Sequence, residues 1–171
     1  MKTIKNILLI ALALLIQSSI LGRFDIYGIR PDFGMMVLLY IANTSSSVES
    51  ILYGFMIGFL QDVYSPEYLG FNALTMSIIG YLLGFVSERI TTEKLPARII
   101  VTLFACLLHD MLYLILYSHL DLTLLSNLFI LTGLAGAVYT TVLSVLLITL
   151  WEWAENGGLF VIVNELLGSR R

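Results

Sequence analysis

The sequence predicts an all-α integral membrane protein, a six-helix bundle with a five-helix arrangement as the alternative. Three observations predict it. Of 171 residues, 58% are hydrophobic and 12% charged, against roughly 45–50% and about 25% in soluble domains, and the mean hydropathy is +0.93. The apolar residues fall in long blocks, which a bilayer accepts and a small soluble core could not bury. Aromatic residues gather at block edges: Phe24 and Tyr27, Tyr64 and Tyr68, Tyr113 and Tyr117, Trp151 and Trp153. That is the pattern of the aromatic belts at membrane interfaces.

The apolar segments, in order, are Asn6–Leu21, Phe33–Ala42, Val48–Leu60, Leu69–Val86, Ala97–Tyr117 and Leu122–Leu150. Spanning takes about 20 helical residues, with a lower limit near 17. The last three qualify, and the first does if its ends are stretched. Its basic start, Met1 to Lys5, and the apolar Ile7–Ile16 resemble a signal peptide. The chain then returns to apolar character at Ile20 and offers a poor small-x-small site, so an uncleaved first helix is expected.

The second and third segments are short and could form one long helix or a hairpin. Asn43-Thr44-Ser45-Ser46-Ser47 separates them, and Ser46-Ser47-Val48-Glu49 fits the S-x-x-E capping box that opens a helix. Glu49 in the middle of one lipid-embedded helix would be costly. Two helices are therefore expected, six in all. Pro31, Pro66 and Pro96 stand near segment starts, where a missing N–H costs little. Ser65-Pro66-Glu67 reads as a cap, a first-turn proline and a first-turn acid.

Residues 1–153 form the expected transmembrane domain, and 154–171 a short tail. Leu159–Leu167 is too short to span and is expected to lie in the interface, ending at Arg170-Arg171. With six spans and an inner N-terminus, the inner side holds Lys2, Lys5, Arg89, Lys94, Arg98, Arg170 and Arg171, and the outer side only Arg23 and Arg30. The positive-inside rule requires this bias. Five spans give the same score, because Lys2 and Lys5 trade places with Arg23 and Arg30. In both arrangements the Glu88–Arg98 loop and the C-terminus are cytoplasmic.

Gly54, Gly58 and Asp62 follow at four-residue steps along one stripe of the third helix. Ala73, Ser77, Gly80 and Gly84 form a second stripe on the fourth. Small residues at this spacing let helices approach closely in lipid. The stripes predict a tight hairpin with Asp62, Gly70 and Asn72 near its mouth. It is either internal packing or a corner that presents a partner surface. Asp62 is expected near the outer surface, where water and helix ends can satisfy it. His109-Asp110 lies within Ala97–Tyr117, where ionisable groups are expensive. Both readings stay open: polar glue between helices, or a proton relay or ligand site. Adjacent helical residues point about 100° apart, so the two are not expected to share one small site.

Net charge −3 gives no footing for nucleic acid. Cys106 is the only cysteine, which excludes an internal disulfide and a cysteine-based metal cluster. It is expected to be a buried small hydrophobe. No HExxH, no GxSxG and no phosphate-cradling loop occurs. Gly58-Phe59-Leu60-Gln61-Asp62 is not the G-x-G-D of aspartyl intramembrane proteases. No catalytic residue, cofactor or metal is expected.

Arg30-Pro31-Asp32-Phe33, Gly54-x-x-x-Gly58-Phe59-Leu60-Gln61-Asp62 and Leu69-Gly70-Phe71-Asn72-Ala73-Leu74 together resemble the bacterial rod-shape-determining MreD family, over nearly the whole chain. The resemblance implies a non-catalytic scaffold of the cell-wall elongation machinery in the bacterial cytoplasmic membrane. It implies as partners a bitopic MreC-type protein, MreB filaments and the glycosyltransferase–transpeptidase pair, besides membrane lipid. It further implies an architecture similar to the substrate-binding subunits of energy-coupling-factor transporters. That supplies the alternative function, a membrane subunit for uptake of a vitamin-type small molecule. Those subunits dock through Ala-x-x-x-Ala in the first helix. Here Ala11 is followed four positions later by Leu15, and Ala13 by Gln17, which counts against uptake.

Overall fold

The computed structural model describes residues 2–20, 29–89, 95–119 and 121–155. Within them the chain forms α1 (Lys2–Ile20), α2 (Phe33–Ala42), α3 (Ser47–Val63), a 3-10 turn (Pro66–Tyr68), α4 (Phe71–Arg89) and α5 (Leu95–Tyr117). A last continuous run follows, made of α6 (Leu122–Leu128), a π-helical turn (Phe129–Gly133) and α7 (Leu134–Glu155). The described residues thus hold six helical runs, and the fold is all-α. The tail helix expected over Leu159–Leu167 lies outside the described residues. So do Arg23, Phe24, Tyr27, Lys94, Arg170 and Arg171.

Helix starts follow local chemistry. Ser46 accepts from the Glu49 amide and the Glu49 carboxylate accepts from the Ser46 amide, each at 3.3 Å, so the capping box forms and separates α2 from α3. Asp32 caps α2 by accepting from the Met35 amide at 3.0 Å. Asp121 caps α6 by accepting from the amides of Thr123 and Leu124. The sharp turn before it passes through His119 at φ 50. Ser65 makes no side-chain cap bond. Pro66 opens the separate 3-10 turn, and α4 starts afresh at Phe71.

Four helical segments are long and apolar enough to cross a membrane: Lys2–Ser19, Phe71–Arg89, Pro96–Tyr117 and Leu122–Leu150. α3 has 17 residues, the lower limit for a span. α2 has only 10 residues, about 15 Å of helix. Its surroundings account for this. Gly34, Met35, Met36, Leu38, Leu39, Ile41 and Ala42 are all buried, so α2 is apolar on every side because protein surrounds it. Its Leu38 and Ile41 are fully buried, within a core that also holds Ile10, Ile57, Met76, Ile79, Cys106 and Ala137. A central helix inside other helices need not match bilayer thickness.

Successive helices alternate in direction. At one end of the bundle the Lys2 ammonium contacts the Thr44 carbonyl and lies 3.6 Å from Glu49, and Lys5 lies 3.0 Å from the Tyr40 hydroxyl. At the same end the Ser47 amide and hydroxyl both donate to Glu88, at 2.9 and 2.8 Å. At the other end the Gly34 amide donates to Gln17 at 3.3 Å, and Tyr68 packs on Tyr117. The long apolar faces left outward, such as Ile4, Leu8, Leu12 and Leu15 of α1 or Ile100 and Phe104 of α5, suit lipid. The chain is a multi-pass membrane protein.

Candidate functional site

Two polar constructions occupy the end of the bundle away from Lys2. The first is built on the α3–α4 hairpin, which runs from its mouth at this end back to the Lys2 end. Its two small-residue stripes face each other and bring backbone onto backbone. A Cβ added at Gly54 would lie 2.9 Å from the Met76 carbonyl carbon, one at Gly80 2.9 Å from that of Ser50, and one at Gly84 2.6 Å from the Ser47 Cα. At Gly58 the clash would be with the Asn72 carbonyl and with the Ala73 nitrogen at 2.6 Å. No real side chain tolerates such distances to a backbone. Gly54, Gly58, Gly80 and Gly84 are buried, and this contact occupies them.

Asp62 closes the mouth of the hairpin. Its side chain is fully buried and collects four donors. Oδ2 accepts from the amides of Gly70 (2.9 Å) and Ala73 (3.0 Å). Oδ1 accepts from the amide (3.1 Å) and the side-chain nitrogen (2.9 Å) of Asn72. The last carboxylate of α3 therefore caps α4, satisfying amides that a helix start leaves without partners. Gly70 makes this possible at φ +101, a conformation that L side chains rarely adopt. The expectation that water and helix ends would satisfy Asp62 is corrected on one point: the helix end does, and water does not reach it.

The second construction is a cavity of about 830 Å³ between α1, the segment before α2, the end of α3, the start of α4 and α5. Gln17 and Ser18 line it from α1, Arg30 and Asp32 from the segment before α2, Gln61 from α3 and Tyr64 from the turn just after it. His109, Asp110 and Tyr113 line it from α5. One wall is not helical. Residues 29–32 precede α2, and their backbone is anchored by the Asp32 amide donating to the Thr140 hydroxyl at 3.1 Å. Irregular backbone at membrane depth is tolerated where it is buried in protein or lines a polar cavity. Asp32 Oδ1 also accepts from Gln61 Nε2 at 2.8 Å, tying α3 to this segment.

His109 and Asp110 both line this cavity, against the expectation that they would face different sites. His109 Nδ1 lies 3.2 Å from Asp110 Oδ1. The imidazole nitrogen nearest the backbone reaches round the helix to the next side chain, and the cavity is wide enough to take in both directions. An aromatic column holds the ring. His109 stacks on Tyr113 (6.4 Å, 24°), Tyr113 on Tyr117 (6.4 Å, 16°), and Tyr117 meets Tyr68 at 5.1 Å. On the loop, the hydrogen bond with Tyr117 raises the Tyr68 phenol above its ordinary pKa.

Residue-by-residue reading of the sequence misses Gln17, Asp32, Gln61, Tyr113 and Thr140 as a set. Asp32 and Gln61 stand out there only as parts of motifs. Their signal is depth. Gln17 sits near the end of α1, Gln61 near the end of α3 and Asp110 in the second half of α5, at a common level once the helices alternate. Cys106 is buried and free, as expected of a small hydrophobe. Among the described residues, no three metal-ligating side chains gather.

No curated protein and no solved structure shows significant similarity to the chain. A family model described as rod shape-determining protein MreD matches residues 2–155, the same residues that build the bundle, the glycine hairpin and the cavity, and the chain belongs to the MreD family.

Proposed function

We propose that the protein is a non-catalytic membrane scaffold of the bacterial cell-wall elongation machinery. It acts through helix contacts in the bilayer and short loops. The observation that carries this reading is that the family match covers the same residues as the helical bundle. A rigid bundle of this kind can hold other membrane proteins in register. The partners proposed are a bitopic MreC-type protein first, then MreB filaments and the glycosyltransferase–transpeptidase pair. The basic end, with Lys2, Lys5, Arg89 and Arg98, is proposed to face the cytoplasm of a cytoplasmic-membrane protein, with the C-terminus on the same side.

The glycine stripes support a structural role for the hairpin, since α3 and α4 already occupy them. Partners therefore meet outer faces of the bundle, not Gly54 or Gly58. The test is complementation in a rod-shaped bacterium depleted of its own family member, with a pull-down in mild detergent. Restored rods and recovery of the bitopic partner are expected. Recovery of an ATP-driven transporter module, with round cells persisting, would replace the scaffold by the uptake reading.

A further inference from the structure

The α4–α5 side of the bundle carries a groove that neither the hairpin nor the polar cavity uses. Gly80 and Gly84 bring one face of α4 onto α3 until backbone meets backbone. The neighbouring face presents Leu82, Leu83 and Val86 instead. Side chains of that size keep a second helix at a greater distance. A space of about 220 Å³ is left between these residues and Ile100, Phe104 and Ala105 of α5. Every side chain lining it is hydrocarbon. Ala105 is short and buried, which gives the groove depth, and Ile100 and Phe104 form its outer lip, each 67% exposed.

A cation stands where the groove meets the basic end of the bundle. Arg89 lies one turn beyond Val86 and two beyond Leu82, on the groove's side of α4. Its guanidinium lies over the Phe85 ring, 4.0 Å from the centroid. Stacking leaves the N–H edge free, and that edge matches a phosphate bidentately. Arg89 forms no ion pair among the described residues. The adjacent Glu88 is turned to α3, where it accepts from the Ser47 amide and hydroxyl. Val86 and Ile100 line the same space, so the start of α5 at Leu95 stands near the level of Arg89. The first turn of α5 holds no acidic residue, and the positive end of its dipole adds to the potential there.

The two halves of this site ask for one molecule. A groove without polar lining takes a hydrocarbon chain, and a cation at its interfacial end takes an anionic head. A soluble anion would leave the groove empty, and an uncharged lipid would leave Arg89 unmatched. Basic sites between transmembrane helices are where anionic headgroups bind. We propose that the α4–α5 groove is a binding site for an anionic phospholipid of the leaflet at the basic end, with one acyl chain against Val86, Ile100 and Phe104 and the phosphate on Arg89. The proposal stands apart from the scaffold reading, because it concerns a lipid and not a protein partner.

The purified full-length protein in detergent is titrated with phosphatidylglycerol and with phosphatidylcholine of the same two chains, and the first bound lipid is read by native mass spectrometry. Phosphatidylglycerol is expected to be retained about fivefold better or more, the ratio that one arginine near the membrane surface supplies. Arg89→Gln should remove most of that excess, and Arg89→Lys, which keeps the charge and loses the fork, should fall between. Phosphatidylglycerol with a photoreactive group in one acyl chain should label the groove residues of α4 and α5 in the unmodified protein. Unlabelled phosphatidylglycerol should compete, and phosphatidylcholine or soluble glycerol phosphate should not. Equal retention of the two lipids, an excess unchanged in Arg89→Gln, or label spread evenly over the outward faces of the bundle each overturns the proposal. Competition by glycerol phosphate overturns it too, by reducing the site to one for any small anion. A photoreactive residue at position 100 that cross-links to another protein chain in cells gives the groove to a protein and overturns the lipid. The photolabel is mapped on the native chain, so it decides the location even where an Arg89 variant folds poorly.

Discussion

Replacing Asp62 by asparagine tests the reading of the hairpin most directly. Both carboxylate oxygens are fully used, each by two donors at 2.9–3.1 Å. An asparagine has one oxygen and one NH2 group. Whichever way the amide turns, its NH2 faces two N–H donors that previously had an acceptor. The site is fully buried, so water cannot replace the lost oxygen. Leaving a buried donor without a partner costs about 1–3 kcal/mol, and two such losses put Asp62→Asn at roughly 2–6 kcal/mol. For a chain of this size that is a fall in Tm of about 4–24 °C. Asn72→Ala removes only the 2.9 Å side-chain donor and should cost about 1 kcal/mol. The assay is thermal unfolding in one detergent by circular dichroism, with the monodisperse yield recorded for each variant. Asp62→Asn should be clearly the worse of the two, with partner recovery falling in step with folded yield. An unchanged Tm for Asp62→Asn, or equal damage from Asn72→Ala, would refute the cap. A preserved Tm with the partner lost would make Asp62 a contact residue instead.

Gly58→Leu should collapse folded yield and partner recovery together, because even its Cβ meets backbone at 2.6 Å; normal yield on size exclusion would contradict the internal stripe. Gly70→Ala should cost about 1–2 kcal/mol of thermal stability although nothing lies within 4 Å of the added methyl, since the penalty is the backbone at φ +101. Asp110→Asn and His109→Gln should each cost about 0.6–2 kcal/mol in stability while cells stay rod-shaped; round cells with normal protein levels would tie the cavity to the scaffold role. A cysteine at Lys94 in a Cys106→Ser background should resist a membrane-impermeant thiol reagent added to intact cells, and efficient labelling would overturn the cytoplasmic assignment.

Much of this architecture can be read from local pattern. The capping box at Ser46 and Glu49 decides between one helix and two without tertiary information, because both of its hydrogen bonds are local. The glycine stripes are equally legible, since period and residue size are enough to predict close approach. What cannot be read depends on which helix lies beside which. Asp62 looks like an ordinary helix-end acid, and its role as the cap of α4 exists only once Gly70 turns the chain back. The Ser65-Pro66-Glu67 signal is real but opens a 3-10 turn, because Asp62 supplies a better cap at the Gly70–Ala73 amides. His109 and Asp110 diverge on a helical wheel, yet a cavity spanning several helices takes in both directions. In sequence, α2 looks like a weak span. Its shortness goes with burial of seven of its ten residues among other helices, which one sequence does not reveal.

The cavity and the short central helix are one feature seen from two sides. A hydrocarbon core is about 30 Å thick, and α2 supplies about 15 Å of helix. The level beyond Phe33 still has to be occupied by something compatible with membrane depth. A longer apolar helix would fill it with side chains and leave no cavity. Here the chain arrives through residues 29–32, and a non-helical backbone brings amides and carbonyls that need partners. Thr140 accepts from the Asp32 amide, Gln17 accepts from the Gly34 amide at the start of α2, and Gln61 donates to the Asp32 side chain. Those residues are polar, so the space around them is polar too. The rigid α3–α4 hairpin then matters for a second reason. Its backbone contact fixes the height of Gln61 and Asn72 relative to each other, and therefore one wall of the cavity. Loosening the glycine contact should thus disturb the polar end even though no glycine of the stripe touches His109 or Asp110. The two constructions at this end of the bundle are mechanically coupled, with Gln61 and Asp62 as adjacent links: one reaches into the cavity and the other locks the hairpin.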